Sequence, residues 1–211
     1  MNHTRLFLIR HGQVVSHHEF RYNGHIDVDI TNIGIKQMED IADFLSLKPV
    51  TAVYSSDLQR AFKGAEITAE RLGLKITKVQ EFRELSLGRW EGLTREEAIK
   101  KFPEEAEFGF RNLANSKVIG GESLHDLQNR ILPKLNEILT QHRNEAICLF
   151  AHGGVNRVIL CDAMGLSVDN FFRIEQDYGC LNVIDYFEDG TRVVKLLNGG
   201  PNQLLKGTKI Y

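Results

Sequence analysis

Arg10, His11 and Gly12 directly follow an apolar run, Leu6–Ile9, that is typical of a buried strand. In a parallel sheet the ligand site lies beyond the carboxyl ends of the strands, so this order places a cation and an imidazole at the mouth of a site. The planar guanidinium of Arg10 can hold a phosphoryl group while neutral His11 attacks the phosphorus. The tripeptide alone is equally compatible with a solvated strand end, so the prediction of a nucleophilic site depends on further motifs.

A second apolar run, residues 146–151, ends in His152, Gly153 and Gly154 and then becomes helical in pattern. Neighbouring parallel strands lie about 4.8 Å apart, so His11 and His152 can share one phosphate if the two strands are adjacent. The backbone amides at a helix start favour an anion through their unpaired N–H groups and the helix dipole. The two strand ends together therefore predict a phosphate site.

Two further segments carry charged side chains that suit the same chemistry. Residues 55–60 are typical of a strand end, a capping residue and the first turn of a helix, which brings the guanidinium of Arg60 to the strand-end face. Residues 81–92 form a glycine-punctuated loop with three carboxylates, Glu81, Glu84 and Glu91. Any one of these carboxylates can act as a general acid.

These motifs, in this order, resemble those of the histidine phosphatase superfamily, the phosphoglycerate-mutase-like enzymes, over nearly the whole chain. The first and last motifs above are similar to the family's Arg-His-Gly and distal histidine motifs. The other matching segments are Gly24–Thr31 (Gly-x-x-Asp-x-Pro-Leu-Thr in the family), Ser55–Arg60 (Ser-Ser-x-x-x-Arg), Glu84–Gly92 (Glu-x-x-x-Gly-x-Trp-Glu-Gly) and Gly120–Ser123 (Gly-Gly-Glu-Ser). The shared order is what makes the resemblance specific.

The resemblance implies a role for each matching residue. His11 would be the nucleophile that becomes phosphohistidine, and Glu84, chosen by motif spacing, would protonate the leaving oxygen and then activate water. Arg10, Arg60 and His152 would hold the phosphoryl oxygens, which suits a reaction that needs mainly positioning and positive charge. The implied substrate-binding set is Arg10, His17, Asn23, Gly24, Arg60, His152 and Gly153. The resemblance implies neither a metal nor another cofactor.

The chain departs from the family pattern at several positions near the first motif, where Gln13, Val14 and His17 all differ. Many members carry asparagine where this chain has His17, which either replaces it as a phosphate donor or points elsewhere. Asn23 stands where the phosphatase branches often have glutamine. Asp29 replaces a proline, which predicts a looser loop. His17, His18 and His25 lack the ligand spacing of a metal site, so we expect none there.

Composition is that of one enzyme domain covering residues 1–211. The net charge of -2 argues against nucleic-acid binding, so an anionic substrate must be attracted by a local cluster of cations. Three cysteines in apolar stretches are typical of a reduced, cytoplasmic protein. The apolar stretch near the N-terminus is too short for a signal peptide or a membrane span. The family resemblance implies a small phosphomonoester as the partner and also allows a homodimer.

Alternating strand and helix patterns predict an α/β fold, a three-layer α/β/α sandwich around a mostly parallel sheet. Pro133 predicts a kink or an early break in its helix. Residues from about 94 to 120 form a helical cap insertion that, by analogy with the family, covers the site or selects the substrate. The predicted strands are residues 4–10, 51–55, 75–79, 146–151, 180–187 and 191–197, the last two joined as a hairpin, and the predicted helices are residues 31–45, 57–72 and 123–141, with another opening at Thr94.

The predicted function is that of a metal-independent phosphomonoesterase, which hydrolyses a small phosphorylated metabolite through phosphohistidine at His11. One alternative is an α-ribazole-5'-phosphate phosphatase of cobalamin synthesis, which the chain length and the Gly-Gly-Glu-Ser helix suit equally well. A cofactor-dependent phosphoglycerate mutase is a second alternative, which the short segment 88–92 and the compact cap disfavour. The third is an inactive phospholigand-binding module, against which the retained site residues argue.

Overall fold

The computed structural model describes residues 3–109 and 112–201 and contains one six-stranded sheet. The strands are β1 (His3–Arg10), β2 (Val50–Ser55), β3 (Ile76–Lys78), β4 (Ala146–Ala151), β5 (Leu181–Phe187) and β6 (Arg192–Gly199). Their order across the sheet is β3-β2-β4-β1-β5-β6. Strands β1 to β4 run parallel to one another, β5 runs antiparallel to β1, and β6 runs antiparallel to β5, so the predicted mostly parallel sheet is confirmed.

The described residues form five α-helices, which cover the two faces of this sheet or lie in the connections between its strands. They are α1 (Asn32–Ser46), α2 (Gln59–Leu72), α3 (Arg95–Lys101), α4 (Leu124–Gln141) and α5 (Gly153–Ala163). Successive side chains of a strand point to opposite faces, so Phe7 and Ile9 pack with α1 and α2 while Leu6 and Leu8 pack with α4 and α5. The predicted three-layer sandwich is confirmed.

Strands β1 and β4 are direct neighbours, as the two histidine motifs require. Arg10 is paired with Ala151 in the parallel ladder, and the His11 N–H donates to the Ala151 carbonyl at 3.1 Å. Both strands are fully or almost fully buried because helices cover both faces of the sheet. This register places His11 and His152 side by side beyond the same edge of the sheet.

Of the two outcomes predicted for Pro133, the early break of α4 is wrong, since the helix continues to Gln141, and the kink stays a prediction. Proline removes one N–H donor, but the apolar face of the helix is buried on both sides of it. Leu127 and Ile131 precede the proline in the core, and Leu135 and Ile138 follow it. Burial of this face therefore outweighs the local cost of the proline.

The segment after the loop at 81–92 begins with α3, which the predicted capping box opens. The Thr94 hydroxyl accepts from the Glu97 N–H, and the Glu97 carboxylate accepts from the Thr94 N–H. Fully buried Trp90 donates its Nε1–H to the Glu105 carboxylate at 2.7 Å, which ties this segment to the loop. Across the described residues, no helix combines the length and apolar character needed to cross a membrane.

Candidate active site

His11 and His152 form the centre of the site. Their ring centroids lie 5.2 Å apart, and the two residues are 4% and 0% exposed. The Nδ1 atom of His11 lies 2.8 Å from the Gly12 carbonyl oxygen, and because a carbonyl can only accept, this nitrogen carries the proton. The lone pair of His11 is therefore on Nε2, the atom that can attack an electrophile.

Both imidazoles are held in the neutral form. Burial, followed by the positive charges of Arg10 and Arg60, lowers the pKa of His11 well below its usual value of 6.5. Burial, followed by the charge of Arg60 and the proximity of His11, lowers the pKa of His152 in the same way. A neutral imidazole is the nucleophilic form, so the environment prepares His11 for attack at neutral pH.

His152 has one nitrogen engaged and one free to donate. Its Nε2 atom lies 2.8 Å from the hydroxyl oxygen of Ser56, which follows strand β2. Its Nδ1 atom is buried and has no hydrogen-bond partner among residues 3–109 and 112–201. If the Ser56 hydroxyl donates to Nε2, the proton of the neutral ring resides on Nδ1, where it can be donated to an anion.

Arg10 is held rigidly at the end of β1. Its Cζ atom lies 4.1 Å from the centroid of the Tyr178 ring, and its Nη1 atom donates to the Gln176 carbonyl at 2.5 Å. The Gln176 side chain is fixed by a buried, reciprocal amide pair with Asn182 at 2.8 and 2.9 Å. A stacked and hydrogen-bonded guanidinium loses little further freedom when it binds an anion.

Arg60 enters from the first turn of α2 and is 2% exposed. Its two Nη atoms donate to the carbonyls of Gly24 and Ile26 at 2.6 and 2.7 Å. Gly24 has a φ of +44°, and a Cβ there would lie 2.1 Å from a carboxylate oxygen of Glu91. The loop that anchors Arg60 therefore requires glycine at this position.

Glu84 is the one of the three candidate carboxylates that lines the same cavity as His11. Both of its carboxylate oxygens lie 3.1 Å from the Gly154 nitrogen at the start of α5, and Oε1 also accepts from the Leu85 N–H. The Glu91 carboxylate instead accepts from the Leu87 N–H, which organises the loop. The structure therefore favours Glu84, as the motif spacing does, among the three rivals.

A network of hydrogen bonds from Arg130 and Glu122 holds the loop that carries Glu84. Arg130 on α4 donates to the backbone carbonyls of Glu81, Arg83 and Glu84, and it pairs through two bonds of 2.7 Å with Glu122. The Glu122 carboxylate also accepts from the Ser86 N–H at 3.0 Å. On the other side of the loop, His25 Nε2 donates to the Glu84 carbonyl at 2.8 Å.

Arg10, His11, Arg60 and Glu84 line a cavity of about 310 Å³ at the carboxyl ends of the parallel strands. His152 is fully buried beside His11 and does not line it. Four arginines line it, which gives a chain of net negative charge a local positive cluster suited to an anion. They are Arg10, Arg21, Arg60 and Arg157. Its aromatic walls are Tyr22, Phe171, Phe172 and Tyr178, and its aliphatic lining is Leu85, Leu87 and Leu113.

The structure brings together most, but not all, of the predicted site residues. Asn23 and Gly24 line the cavity with His11, while Gly153 starts α5 beside the Arg10 guanidinium. His17 lies in a neighbouring cavity, where its Nδ1 donates to the Val14 carbonyl at 3.0 Å. A direct contact of His17 with phosphate stays a prediction.

The sequence motifs do not indicate several residues of the site, because the residues they contact are distant in sequence. Arg130, Gln176 and Tyr178 act on residues that are 46 or more positions away. Arg157 had a usable signal, since it lies one helical turn after Gly153. Within the described residues, no group of three or more His, Cys, Asp or Glu side chains is placed to hold a metal ion.

Comparison with known proteins agrees with this geometry. The family described as histidine phosphatase superfamily (branch 1) matches residues 6–199. Phosphoserine phosphatase 1 of Hydrogenobacter thermophilus is 29% identical over 195 residues, which covers 92% of each chain. The structure of mycobacterial glucosyl-3-phosphoglycerate phosphatase in complex with VO3 is 26% identical, with a TM-score of 0.83 over 93% of this chain and 99% of that chain. The alpha-ribazole phosphatase of Shigella flexneri, 22% identical with a TM-score of 0.84 over 92% of this chain and 96% of that chain, shares the fold.

Proposed function

The chain belongs to the histidine phosphatase superfamily (branch 1) and is a phosphatase, and we propose that it hydrolyses a small phosphorylated metabolite through a phosphohistidine on His11. The observation that carries this proposal is the state of His11. Its proton is on Nδ1, its Nε2 is free to attack, and burial, followed by the charges of Arg10 and Arg60, lowers its pKa. This arrangement prepares a neutral nucleophile inside a cationic site.

In the first step, His11 Nε2 forms a bond to phosphorus and the bond from phosphorus to the ester oxygen breaks. The charge that builds on the phosphoryl oxygens is stabilised by Arg10, Arg60 and the Nδ1–H of His152. Glu84 gives its proton to the departing ester oxygen, so that an alcohol leaves. His11 is then phosphorylated and Glu84 is a carboxylate.

In the second step, water attacks the phosphohistidine from the side of Glu84. The carboxylate takes a proton from the water, the phosphorus–nitrogen bond breaks, and phosphate leaves a neutral His11. Glu84 is protonated again and ready for another cycle. The N–H groups of Gly154 and Leu85 keep the carboxylate in place during both steps.

The size and walls of the cavity support a small organic substrate. At about 310 Å³ the cavity lies at the small end of ligand sites, and its aromatic walls suit a short carbon skeleton. The names of the relatives above, a phosphoserine phosphatase and a glucosyl-3-phosphoglycerate phosphatase, support a phosphorylated metabolite. Leu113 in the cavity wall supports the cap role of residues 94–120 within one domain.

We also propose a cytoplasmic location, because Cys148, Cys161 and Cys180 are all buried and unpaired, as in a reducing compartment. Cell fractionation with an antibody to the chain tests this point. Recovery in an oxidising compartment would contradict it. The homodimer stays a prediction, which gel filtration with light scattering would test.

The direct test of function is phosphate release in EDTA from p-nitrophenyl phosphate and from phosphorylated amino acids, glycerates, sugars and nucleosides. We expect turnover without added metal. Interconversion of 2- and 3-phosphoglycerate that outpaces phosphate release would identify a mutase instead. Turnover of α-ribazole phosphate alone would select that narrower phosphatase, and binding without turnover would indicate a phospholigand-binding module.

A further inference from the structure

Arg157 is a cavity-lining cation that the catalytic steps above do not use. It lies on the second turn of α5, and its Nε atom donates to the Ile174 carbonyl at 2.7 Å. Its Nη2 atom contacts the Glu175 carboxylate at 3.3 Å, a weak pair because the Glu175 side chain is 73% exposed. The Nη1 atom has no hydrogen-bond partner in the part of the chain that the structure describes.

The Arg157 guanidinium lies beside the phosphoryl-binding group rather than at a distance from it. The Arg157 Nη1 and the Arg10 Cζ both lie 3.5 Å from the position that a Cβ on Gly153 would occupy. Burial, followed by the charge of Arg10, lowers the pKa of Arg157, while the carboxylates of Glu175 and Glu84 act in the opposite direction. An anionic group near Gly153 would relieve this repulsion.

The other arginines of the cavity are already engaged. Arg21 donates to the Gly92 carbonyl and to the carboxylates of Glu19 and Glu97. Arg60 donates to two backbone carbonyls and, with Arg10, is assigned to the phosphoryl group. Arg157 is itself partly engaged, by the Ile174 carbonyl and the Glu175 carboxylate, but its Nη1 atom remains available, among the described residues, for a second part of the substrate.

We propose that Arg157 binds a carboxylate of the substrate, so that the preferred substrates are small phosphorylated carboxylic acids. This inference rests on the proposed function, since it requires the phosphoryl group to sit at His11. The Nη1 atom and the weakly paired Nη2 atom together form one guanidinium edge, which matches the single charge and planar fork of a carboxylate. A second phosphate would bring about two charges against one cation, with Glu84 and Glu175 nearby.

The test compares substrates that differ only in the carboxylate. O-phosphoserine is paired with O-phosphoethanolamine, and 3-phosphoglycerate is paired with glycerol 1-phosphate. We expect kcat/KM of the native chain to be about tenfold to a hundredfold higher for the acid of each pair, the range for a charged hydrogen bond. Arg157→Gln should bring this ratio close to one, and Arg157→Lys should restore part of it.

Two further variants keep the test decisive. Arg71→Gln removes an exposed arginine in the last turn of α2 that pairs with Asp43 on α1, and it should leave the ratio unchanged. If Arg157→Gln does not fold, Glu175→Gln replaces it: removal of the competing carboxylate should raise the ratio. A ratio near one in the native chain, an unchanged ratio in Arg157→Gln, or a ratio that does not rise in Glu175→Gln would overturn the proposal, as would a preference for bisphosphates.

Turnover of p-nitrophenyl phosphate separates this inference from the function on which it rests. This ester has no carboxylate, so the native chain should hydrolyse it through phosphohistidine on His11 without any contribution from Arg157. If it does so and the acid pairs show no preference, Arg157 has no such role and the proposed function stands. If neither this ester nor any acid is hydrolysed, the proposed function itself fails.

Discussion

The carboxylate of Glu84 lies on the N-terminus of helix α5, with both oxygens 3.1 Å from the backbone nitrogen of Gly154. The same helix begins one residue after His152, so one element positions both the proposed phosphate-binding histidine and the proposed acid. A Cβ on Gly154 would lie 2.2 Å from Glu84 Oε1, much closer than atoms can approach. Close approach of backbone and carboxylate therefore depends on glycine at this position.

The first prediction concerns this contact. Gly154→Ala should displace the Glu84 carboxylate and lower kcat for alkyl phosphates by about tenfold to a hundredfold, because a misplaced acid protonates the leaving oxygen poorly. Hydrolysis of p-nitrophenyl phosphate should fall much less, since its leaving group needs little protonation. Gly109→Ala, at a glycine with open space around its Cβ position, is the matched control. Equal loss on both substrates would contradict the prediction.

Removal of the acid itself gives a second prediction. Glu84→Gln keeps the shape of the side chain but cannot donate the proton, so kcat for alkyl phosphates should fall by about a hundredfold to ten-thousandfold. Steady-state kinetics on a series of phenyl and alkyl phosphates should show a steeper dependence on leaving-group pKa than in the native chain. An unchanged dependence would mean that another group is the acid. Glu91→Gln is the comparison variant, because Glu91 organises the loop through backbone N–H groups.

Arg130 is the basis of a third prediction, since it donates to three carbonyls of the loop that carries Glu84 and pairs with Glu122. Arg130→Gln should lower the free energy of unfolding by about 1–3 kcal/mol, because it leaves a half-buried carboxylate unpaired. It should also make alkyl phosphates poorer substrates relative to p-nitrophenyl phosphate, because Glu84 loses its support.

Urea unfolding and the two-substrate comparison measure these effects. Lys134→Gln on the same helix removes an exposed pair with Glu137 and should change the free energy of unfolding by no more than about 0.5 kcal/mol. A stable Arg130→Gln protein with native leaving-group dependence would show that the Arg130 contacts do not position the acid.

The buried histidines predict how stability depends on pH. Their pKa values are lowered in the folded state, so as pH falls through the unfolded value near 6.5 the unfolded chain binds protons first and stability decreases. As the pH falls below this value, each histidine lowers the free energy of unfolding by up to about 1.4 kcal/mol per pH unit until its folded pKa is reached. The stability that the neutral histidines contribute is fully present above pH 6.5.

Urea unfolding at about pH 7 and about pH 5 tests this dependence. His152→Asn should lose less stability over this interval than the native chain does, because one buried neutral histidine is gone. His125→Gln removes an exposed histidine and should follow the native chain. If His152→Asn and the native chain lose equal stability, His152 is not held neutral by burial.

Much of the fold and the core of the site could be predicted because the relevant signals are local. The apolar runs before Arg10 and His152 identify buried strands, and the position of each polar residue at a strand end fixes the edge on which it lies. The structure confirms that the two strands are neighbours and that their histidines meet. Motif spacing also indicated Glu84 in preference to Glu81 and Glu91.

The supporting residues could not be predicted because their effects depend on tertiary contacts. Arg130 resembles any charged residue of an amphipathic helix, and only the fold shows that it contacts the carbonyl of Glu84, 46 residues earlier in the chain. Asp29 forms an ion pair with Lys63 at 2.6 Å, which lowers the pKa of Asp29, while the looser loop expected from this residue stays a prediction. The partner in each case lies on another element, so local pattern carries no trace of it.

The covalent phosphoenzyme on His11 can be trapped by rapid-quench labelling with a ³²P-phosphomonoester. We expect label on the peptide that contains His11, stable in alkali and labile in acid, that forms and decays as fast as turnover requires. His11→Ala should lose label and turnover together. Turnover in His11→Ala, or turnover of the native chain with no trapped phosphoenzyme at any quench time, would show that His11 is not the nucleophile.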